Sequence, residues 1–478
     1  MNRILLIMWV GGYALLWSLV TISLDPTVPY DAIEALNWAQ NAEWGSPKNP
    51  WLVGLAMRPA LWMTNVPLNV YWYATHFLAI AIGMVGSWLL AKYLSGSERL
   101  AWLALLTLNL SGVINFDIIS YNDNYLLVML WPWMMLFFFL AITKNPNWWL
   151  LFSVAAGLAT MAKYSSLAFV ASVFIATLIV PKIRQCYRYP VFYISLLIGL
   201  ILIAPNMYWQ WEHNFVAFRW VDSQINNQFN PGLFINILSI YYPLVILWWI
   251  LSRSKASVKW PQQPFNQVML LTYLSPLLVI FVWFLFHQGG RLTEWLQPFF
   301  ILAPALFVSC VDNTKVQPVR GGYIGLISTG CLLLVGYSVV MLTNVANAGQ
   351  KMNGIIPFSR ELGQVWQQRY GTPISYVGGE YLAEWLTFYV PSRPKIITPW
   401  SNTSEPNVYN AHIRLADIRR SGVMLIGQSE GKCSDISFKK VMQQWPQLRI
   451  DAISQVTFRL DNKHDSYPLC IGFVNPEE

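Results

Sequence analysis

Asp31 and Glu34 stand three residues apart in Pro29-Tyr-Asp-Ala-Ile-Glu34. They lie in a polar stretch of roughly forty residues between the first two apolar runs. A carboxylate held at such a place can take a proton from an acceptor hydroxyl as that hydroxyl attacks, while nearby cations stabilise a departing phosphate. Asp123 is a third carboxylate at a loop between apolar runs, and Lys48, Lys163, His213, Arg219 and Arg291 supply groups of the sign that an anionic leaving group needs. This combination suits transfer from a lipid-phosphate donor. Taken singly, each residue has a structural reading that is commoner. Lys163 satisfies a helix break, His213 is an interfacial ring, and Glu294 pairs with Arg291. The five histidines, His76, His213, His287, His412 and His464, form no HExxH or close cluster, so a zinc site has no support. The sequence requires no cofactor and leaves a divalent ion open, and neither a GxSxG elbow nor a P-loop occurs.

These residues must be positioned by a membrane scaffold. The 478-residue chain is 55% hydrophobic and only 11% charged, with a mean hydropathy of +0.41. That is too apolar for a soluble globular protein. Apolar runs near 4–23, 68–93, 99–115, 124–143, 147–162, 165–180, 189–207, 233–251, 265–286, 295–311 and 321–345 give an α-helical polytopic membrane protein of about eleven transmembrane helices. The pair 147–162 and 165–180, broken only at Lys163-Tyr-Ser-Ser166, also reads as one long tilted helix. The 25 Trp and 23 Tyr suit rings at headgroup level on many helix ends. The net charge of +8 is scattered in short clusters between spans, which excludes a nucleic-acid domain and reports topology instead.

Arg3, Lys92, Arg99, Lys144, Lys182, Arg184, Arg188, Arg253, Lys255, Lys259, Lys315 and Arg320 all fall on one side, which the positive-inside rule makes cytoplasmic. The 24–67 loop, the 116–123 turn, the 208–232 loop, the 287–294 turn and everything after 345 then face outward. Asp31, Glu34, Lys48, Asp117, Asp123, Lys163, His213, Arg219, Arg291 and Glu294 converge at outer helix ends and are expected at one outer cavity. An ionisable group at membrane depth costs on the order of 2.5–3.5 kcal/mol, so those near the apolar boundary need partners, water or a charged ligand. The first span, long and without an obvious cleavage site, is read as a retained helix.

Composition shifts near residue 346 and divides the chain into a membrane domain, 1–345, that includes the 24–67 loop, and an outward tail, 346–478. In the tail, 374–377, 423–426 and 469–473 read as strands among helices near 359–370, 379–389, 411–420 and 434–444, which makes a small C-terminal α/β domain. Gly378-Gly379 is a turn signal, or more sharply a phosphate-cradling loop. Cys433 and Cys470 both fall in the tail, where an oxidising exterior permits a disulfide.

Several motifs carry a family resemblance. Asp31-Ala-Ile-Glu34 is followed by Trp44-Gly45-Ser-Pro-Lys48-Asn49-Pro50-Trp51-Leu52. Asn122-Asp123 comes next, then Pro205-Asn-Met-Tyr-Trp209-Gln-Trp-Glu-His213-Asn-Phe-Val-Ala-Phe218-Arg219, then Arg291-Leu-Thr-Glu-Trp295-Leu-Gln-Pro298. In this order they resemble the outer-loop motifs of the multispanning GT-C glycosyltransferases, in the bacterial branch related to protein O-mannosyltransferases and the lipid A aminoarabinose transferase. A fainter similarity extends to Tyr376-Val-Gly-Gly-Glu380 and Phe388-Tyr-Val-Pro391-Ser-Arg-Pro394. The resemblance implies a GT-C fold, Asp31 as the catalytic carboxylate, Glu34 and Asp123 as supporting groups, and Lys48, Arg219 and Arg291 near a lipid phosphate. Pro50-Trp51 replaces the family's paired prolines, and Lys48-Asn49 precedes them where relatives carry other residues.

The expectation is therefore a multi-pass bacterial inner-membrane glycosyltransferase with its C-terminal domain outside. It would move one sugar from a polyprenyl-phosphate donor to a lipid, glycan or protein acceptor on the outer face, and its partners would be those substrates and membrane lipids. A secondary transporter or lipid flippase is the alternative. The chain shows no internal repeat of the kind transporters carry and adds an outward soluble domain. A non-enzymatic scaffold leaves the loop charges unexplained.

Overall fold

The computed structural model describes residues 3–41, 43–63, 65–254, 256–287, 292–312, 320–343, 352–379, 381–402, 407–429, 431–460 and 466–477. Arg291, Lys255, Lys315 and His464 lie outside the described residues. The chain forms two compact units.

The first unit comprises residues 1–24, 48–53 and 73–343, and its described elements are helices apart from an isolated bridge between Val258 and Val311. Among the described residues, seven helices are long and apolar enough to cross a membrane: Ile4–Leu24, Leu68–Ser95, Asn124–Thr143, Pro190–Glu212, Leu233–Arg253, Pro264–Phe286 and Arg320–Thr343. The remaining runs are shorter or interrupted. Run 99–115 becomes Glu98–Leu108 followed by 3-10 turns, and run 295–311 divides into Leu292–Leu296, Gln297–Ile301 and Ala303–Val308. At Lys163 the backbone is extended (φ −156°, ψ 132°), which ends the helix Trp148–Ala162. The next helix, Ser166–Ile179, bends by 92° into Pro181–Arg188. The single long tilted helix is therefore not formed.

Helix contact in an apolar solvent comes from packing rather than from escape from water, and small residues permit close approach. Ser153 and Gly157 of Trp148–Ala162 meet Ser195 and Gly199 of Pro190–Glu212 on this principle. A Cβ on Gly157 would lie 2.7 Å from Leu202 Cδ1, and one on Gly199 would lie 2.9 Å from Ser153 Oγ. The Ser153 hydroxyl donates to the Ser195 carbonyl. At the heart of the unit, Trp131 sits edge-on to Phe169 and Phe299, each at 4.8 Å between centroids. Its indole N–H donates to Ser166 Oγ at 2.9 Å, which fixes the helix that follows the break.

The second unit comprises residues 25–47, 54–72 and 344–478. The boundary drawn from sequence had attached the whole 24–67 loop to the membrane half. Packing instead groups most of that loop with the tail. The loop is also not merely polar coil: it folds into the helices Tyr30–Asn41 and Trp51–Trp62. The former begins after Pro29 and carries Asp31 in its first turn, where a carboxylate favours the positive end of the helix dipole.

The tail contributes a five-stranded sheet: β1 Tyr376–Gly379, β2 Lys395–Ile396, β3 Val423–Gln428, β4 Ala452–Arg459 and β5 Ser466–Val474, in the order β2-β1-β3-β5-β4. β1 runs parallel to β2 and β3, whereas β3, β5 and β4 are antiparallel. Strands β2 and β4 were not read from the sequence. The first is two residues long, and the second alternates weakly. Ile397, Ile418, Val423, Leu425, Phe438 and Val441 form the core beside Cys470. Cys433 and Cys470 are disulfide-bonded, with their Cα atoms 5.5 Å apart. Gly378 and Gly379 end β1 and are not a free loop. The Gly379 N–H donates to Thr398 Oγ1 at 2.7 Å, and a Cβ there would lie 1.9 Å from the Ile426 carbonyl oxygen. These glycines serve close strand packing.

Candidate functional site

Asp31 and Glu34 of the 24–67 loop sit in the second unit. Tyr30, Glu34, Asn37 and Asn41 recur at helical spacing along Tyr30–Asn41, so they share one face within an arc of about 60°. The tail meets that face with polar groups. The Tyr30 hydroxyl donates to Glu384 Oε2 at 2.9 Å, and the Tyr409 hydroxyl donates to the same oxygen at 3.1 Å. The Trp400 indole N–H donates to Glu34 Oε1 at 2.8 Å. Asn37 Nδ2 reaches the Glu384 carbonyl at 3.5 Å, and Asn41 Nδ2 reaches the Tyr409 carbonyl at 2.9 Å. The Tyr30 and Tyr381 rings lie 4.5 Å apart. Asp31 and Glu34 are both buried, at 7% and 3% exposure.

Glu384 is the group that sequence reasoning missed. Burial, and then the Glu34 charge, push its carboxyl up to about 8, while the two phenol hydrogen bonds act in the opposite direction. The signal was there: Glu384 is the lone charge in the otherwise apolar helix Leu382–Tyr389, and a charge in that setting needs a reason.

The cations sit in the first unit, where the structure brings three expected residues together. Lys163 Nζ lies 3.0 Å from Asp123 Oδ2 and 3.7 Å from Glu294 Oε1. It donates to Asn124 Oδ1 at 3.0 Å and stands 5.2 Å over the Trp295 ring. Asn124 also donates to the Glu294 carbonyl at 2.9 Å. Lys163 and Asp123 are buried, so the ammonium is balanced by two carboxylates, and the helix break at 163 is what carries it there. Asn49 Nδ2 donates to Asn122 Oδ1 at 3.0 Å, which ties the Lys48-Asn49-Pro50 segment to the loop bearing Asp123.

Lys48 Nζ lies 5.7 Å over the Trp220 ring. Trp220 follows Arg219 in the short helix Val216–Ser223, so the loop cation and that helix meet within one unit. His213 stacks on Trp209 at 4.0 Å, with Nδ1 2.8 Å from the Trp209 carbonyl. The Arg219 guanidinium reaches the His213 carbonyl at 3.4 Å. The intervening Asn214 and Phe215 both hold positive φ, 52° and 55°, which turns the chain sharply between the two helices. Gln210 braces that turn: it accepts from the Ala217 N–H at 3.4 Å and donates to the Tyr164 hydroxyl at 2.9 Å. Arg291 falls outside the described residues.

Residues 50–209 match the model of the dolichyl-phosphate-mannose-protein mannosyltransferase family. The whole chain is similar to crystal structures of ArnT from Cupriavidus metallidurans. For the apo state the TM-score is 0.61 at 12% identity, over 97% of this chain and 97% of that one. For the form bound to undecaprenyl phosphate it is 0.62 at 12% identity, over 98% of each chain. Comparison with curated protein sequences gives no match. The fold is the GT-C type that the motifs implied: a polytopic helical membrane protein with a small C-terminal α/β region.

Proposed function

We propose that this GT-C chain is an integral-membrane glycosyltransferase that transfers a single sugar from a polyprenyl-phosphate donor to a lipid, glycan or protein acceptor on the outer face of a bacterial inner membrane. The observation that carries the proposal is the match of residues 50–209 to a family that uses a lipid-phosphate sugar donor. Similarity over nearly the full chain to a protein crystallised with undecaprenyl phosphate supports it.

Asp31 is the base. It accepts the proton of the acceptor hydroxyl as that oxygen bonds to the anomeric carbon, and the bond from that carbon to the phosphate oxygen breaks with its electron pair leaving on the phosphate. Lys48, Arg219 and Arg291 are assigned to the phosphate, with His213 beside them. Glu34 and Asp123 support the site. Lys163, paired with Asp123 and Glu294, acts on the donor chiefly by holding those carboxylates in place. The donor's isoprenoid tail stays in an apolar groove between helices and need not enter water. An outward tail accords with the distribution of basic residues and with the Cys433–Cys470 disulfide, since disulfides persist in oxidising compartments.

The test is incubation of the purified protein with a panel of polyprenyl-phosphate sugars, with donor consumption followed by mass spectrometry. Asp31→Asn is expected to reduce turnover by at least about a thousandfold while the protein folds normally. Near-normal turnover by a well-folded D31N protein would remove Asp31 from the role of base.

A further inference from the structure

The second unit contains an arrangement that the transfer reading does not use. Glu384 receives two phenol hydrogen bonds on one oxygen, from Tyr30 and from Tyr409. Tyr30 immediately precedes Asp31, and Tyr30 begins the helix Tyr30–Asn41. Three more residues on the same face, Glu34, Asn37 and Asn41, hydrogen-bond to residues 384, 400, 408 and 409. Asp31 lies about 100° round the helix from Tyr30, so the rotation and height of the first turn set where its carboxylate stands.

We infer that Glu384 is a positioning residue: through Tyr30 and Tyr409 it latches the first turn of the Tyr30–Asn41 helix and so places the Asp31 carboxylate. This inference rests on the assignment of Asp31 as base. Burial and the Glu34 charge keep Glu384 protonated, against the pull of the two phenol hydrogen bonds toward the carboxylate. The groups facing it are Glu34 and Tyr30 from Tyr30–Asn41 and Tyr409 from the 407–411 turn, with Tyr381 at the start of its own helix. The one formal charge among them is the Glu34 carboxylate. Ionising Glu384 sets two carboxylates against each other across the latch.

The linkage has a definite sign. Below the ordinary 4.5 the carboxyl is protonated in both folded and unfolded chains; between 4.5 and about 8 only the folded chain keeps the proton. Raising the pH through that window therefore lowers stability. The same ionisation loosens the first turn, so turnover is expected to fall above about pH 8.

The experiment uses the full-length protein with Glu384→Ala, Glu384→Gln and the Tyr30→Phe/Tyr409→Phe pair. Two quantities are read: kcat and KM for a polyprenyl-phosphate sugar across pH, and hydrogen exchange of the amides of residues 30–41. Glu384→Ala is expected to lower kcat at least tenfold, leave KM for the donor within twofold, and speed exchange in 30–41 at least tenfold. Gln, a neutral acceptor of the same shape, restores both and removes the alkaline fall. The double Phe variant retains the carboxyl and reproduces the Ala result if Glu384→Ala fails to fold. The inference is overturned by wild-type kcat and exchange in Glu384→Ala, or in the double Phe variant where Glu384→Ala does not fold, or by an alkaline limb unchanged in Glu384→Gln. If the wild-type protein consumes no donor, the transfer reading falls and the exchange data alone decide: faster exchange in Ala that Gln restores upholds the latch, and unchanged exchange removes it.

Discussion

Lys163 shows how a residue's type can be legible while its role is not. Its position at a break between apolar runs was visible, and the need for a partner followed from the cost of a charge near hydrocarbon. Which partner it takes depends on where Asp123, Asn124 and Glu294 arrive, from segments forty and one hundred thirty residues away. Replacing Lys163 with Met leaves Asp123 buried beside Glu294 without the balancing cation. The expected loss is about 3–5 kcal/mol of stability, measured by thermal unfolding of the full-length protein in detergent. A melting temperature unchanged from wild type would show that water or another group meets those carboxylates. Glu384 is the converse: its place as the one charge in the apolar helix Leu382–Tyr389 was legible, but its partner was not, because its importance comes from Tyr30, hundreds of residues earlier.

Among the elements, the seven long helices could be read from hydropathy because a helix that satisfies its own backbone needs only length and apolarity to cross a bilayer. The interrupted stretches 99–115 and 295–311 were also apolar, yet they fold as short helices and 3-10 turns. Apolarity alone does not distinguish a straight span from a buried broken segment. In the tail, β1, β3 and β5 were found because they are buried apolar runs, whereas β4 exposes much of its length and gave no such pattern. Gly379 is the sharpest case. At φ +125°, with the Ile426 carbonyl where its Cβ would be, it is required by strand approach. Gly379→Ala is expected to destabilise the sheet by about 1–3 kcal/mol from the dihedral alone, more with the steric clash. Faster exchange of the β1 and β3 amides would register it.

For the molecule as a whole, the disulfide between Cys433 and Cys470 spans 37 residues, and closing a loop of that length in the unfolded chain corresponds to roughly 4 kcal/mol. Cys433→Ala/Cys470→Ala is expected to lose stability of that order by denaturant unfolding, and reduction of the wild-type protein should match it. By itself the sequence determined that the chain is a polytopic membrane protein and which charged residues lie between its spans, and its ordered motifs pointed to the GT-C fold. Hydropathy and motif order are properties of the linear chain and survive without coordinates. The tertiary structure alone decided that residues 25–47 and 54–72 pack with the tail, that Asp123, Lys163 and Glu294 form one cluster, and that Glu384 is held by Tyr30 and Tyr409. Each of these depends on pairing residues far apart in sequence, and no local spacing encodes which distant side chain will meet a buried charge.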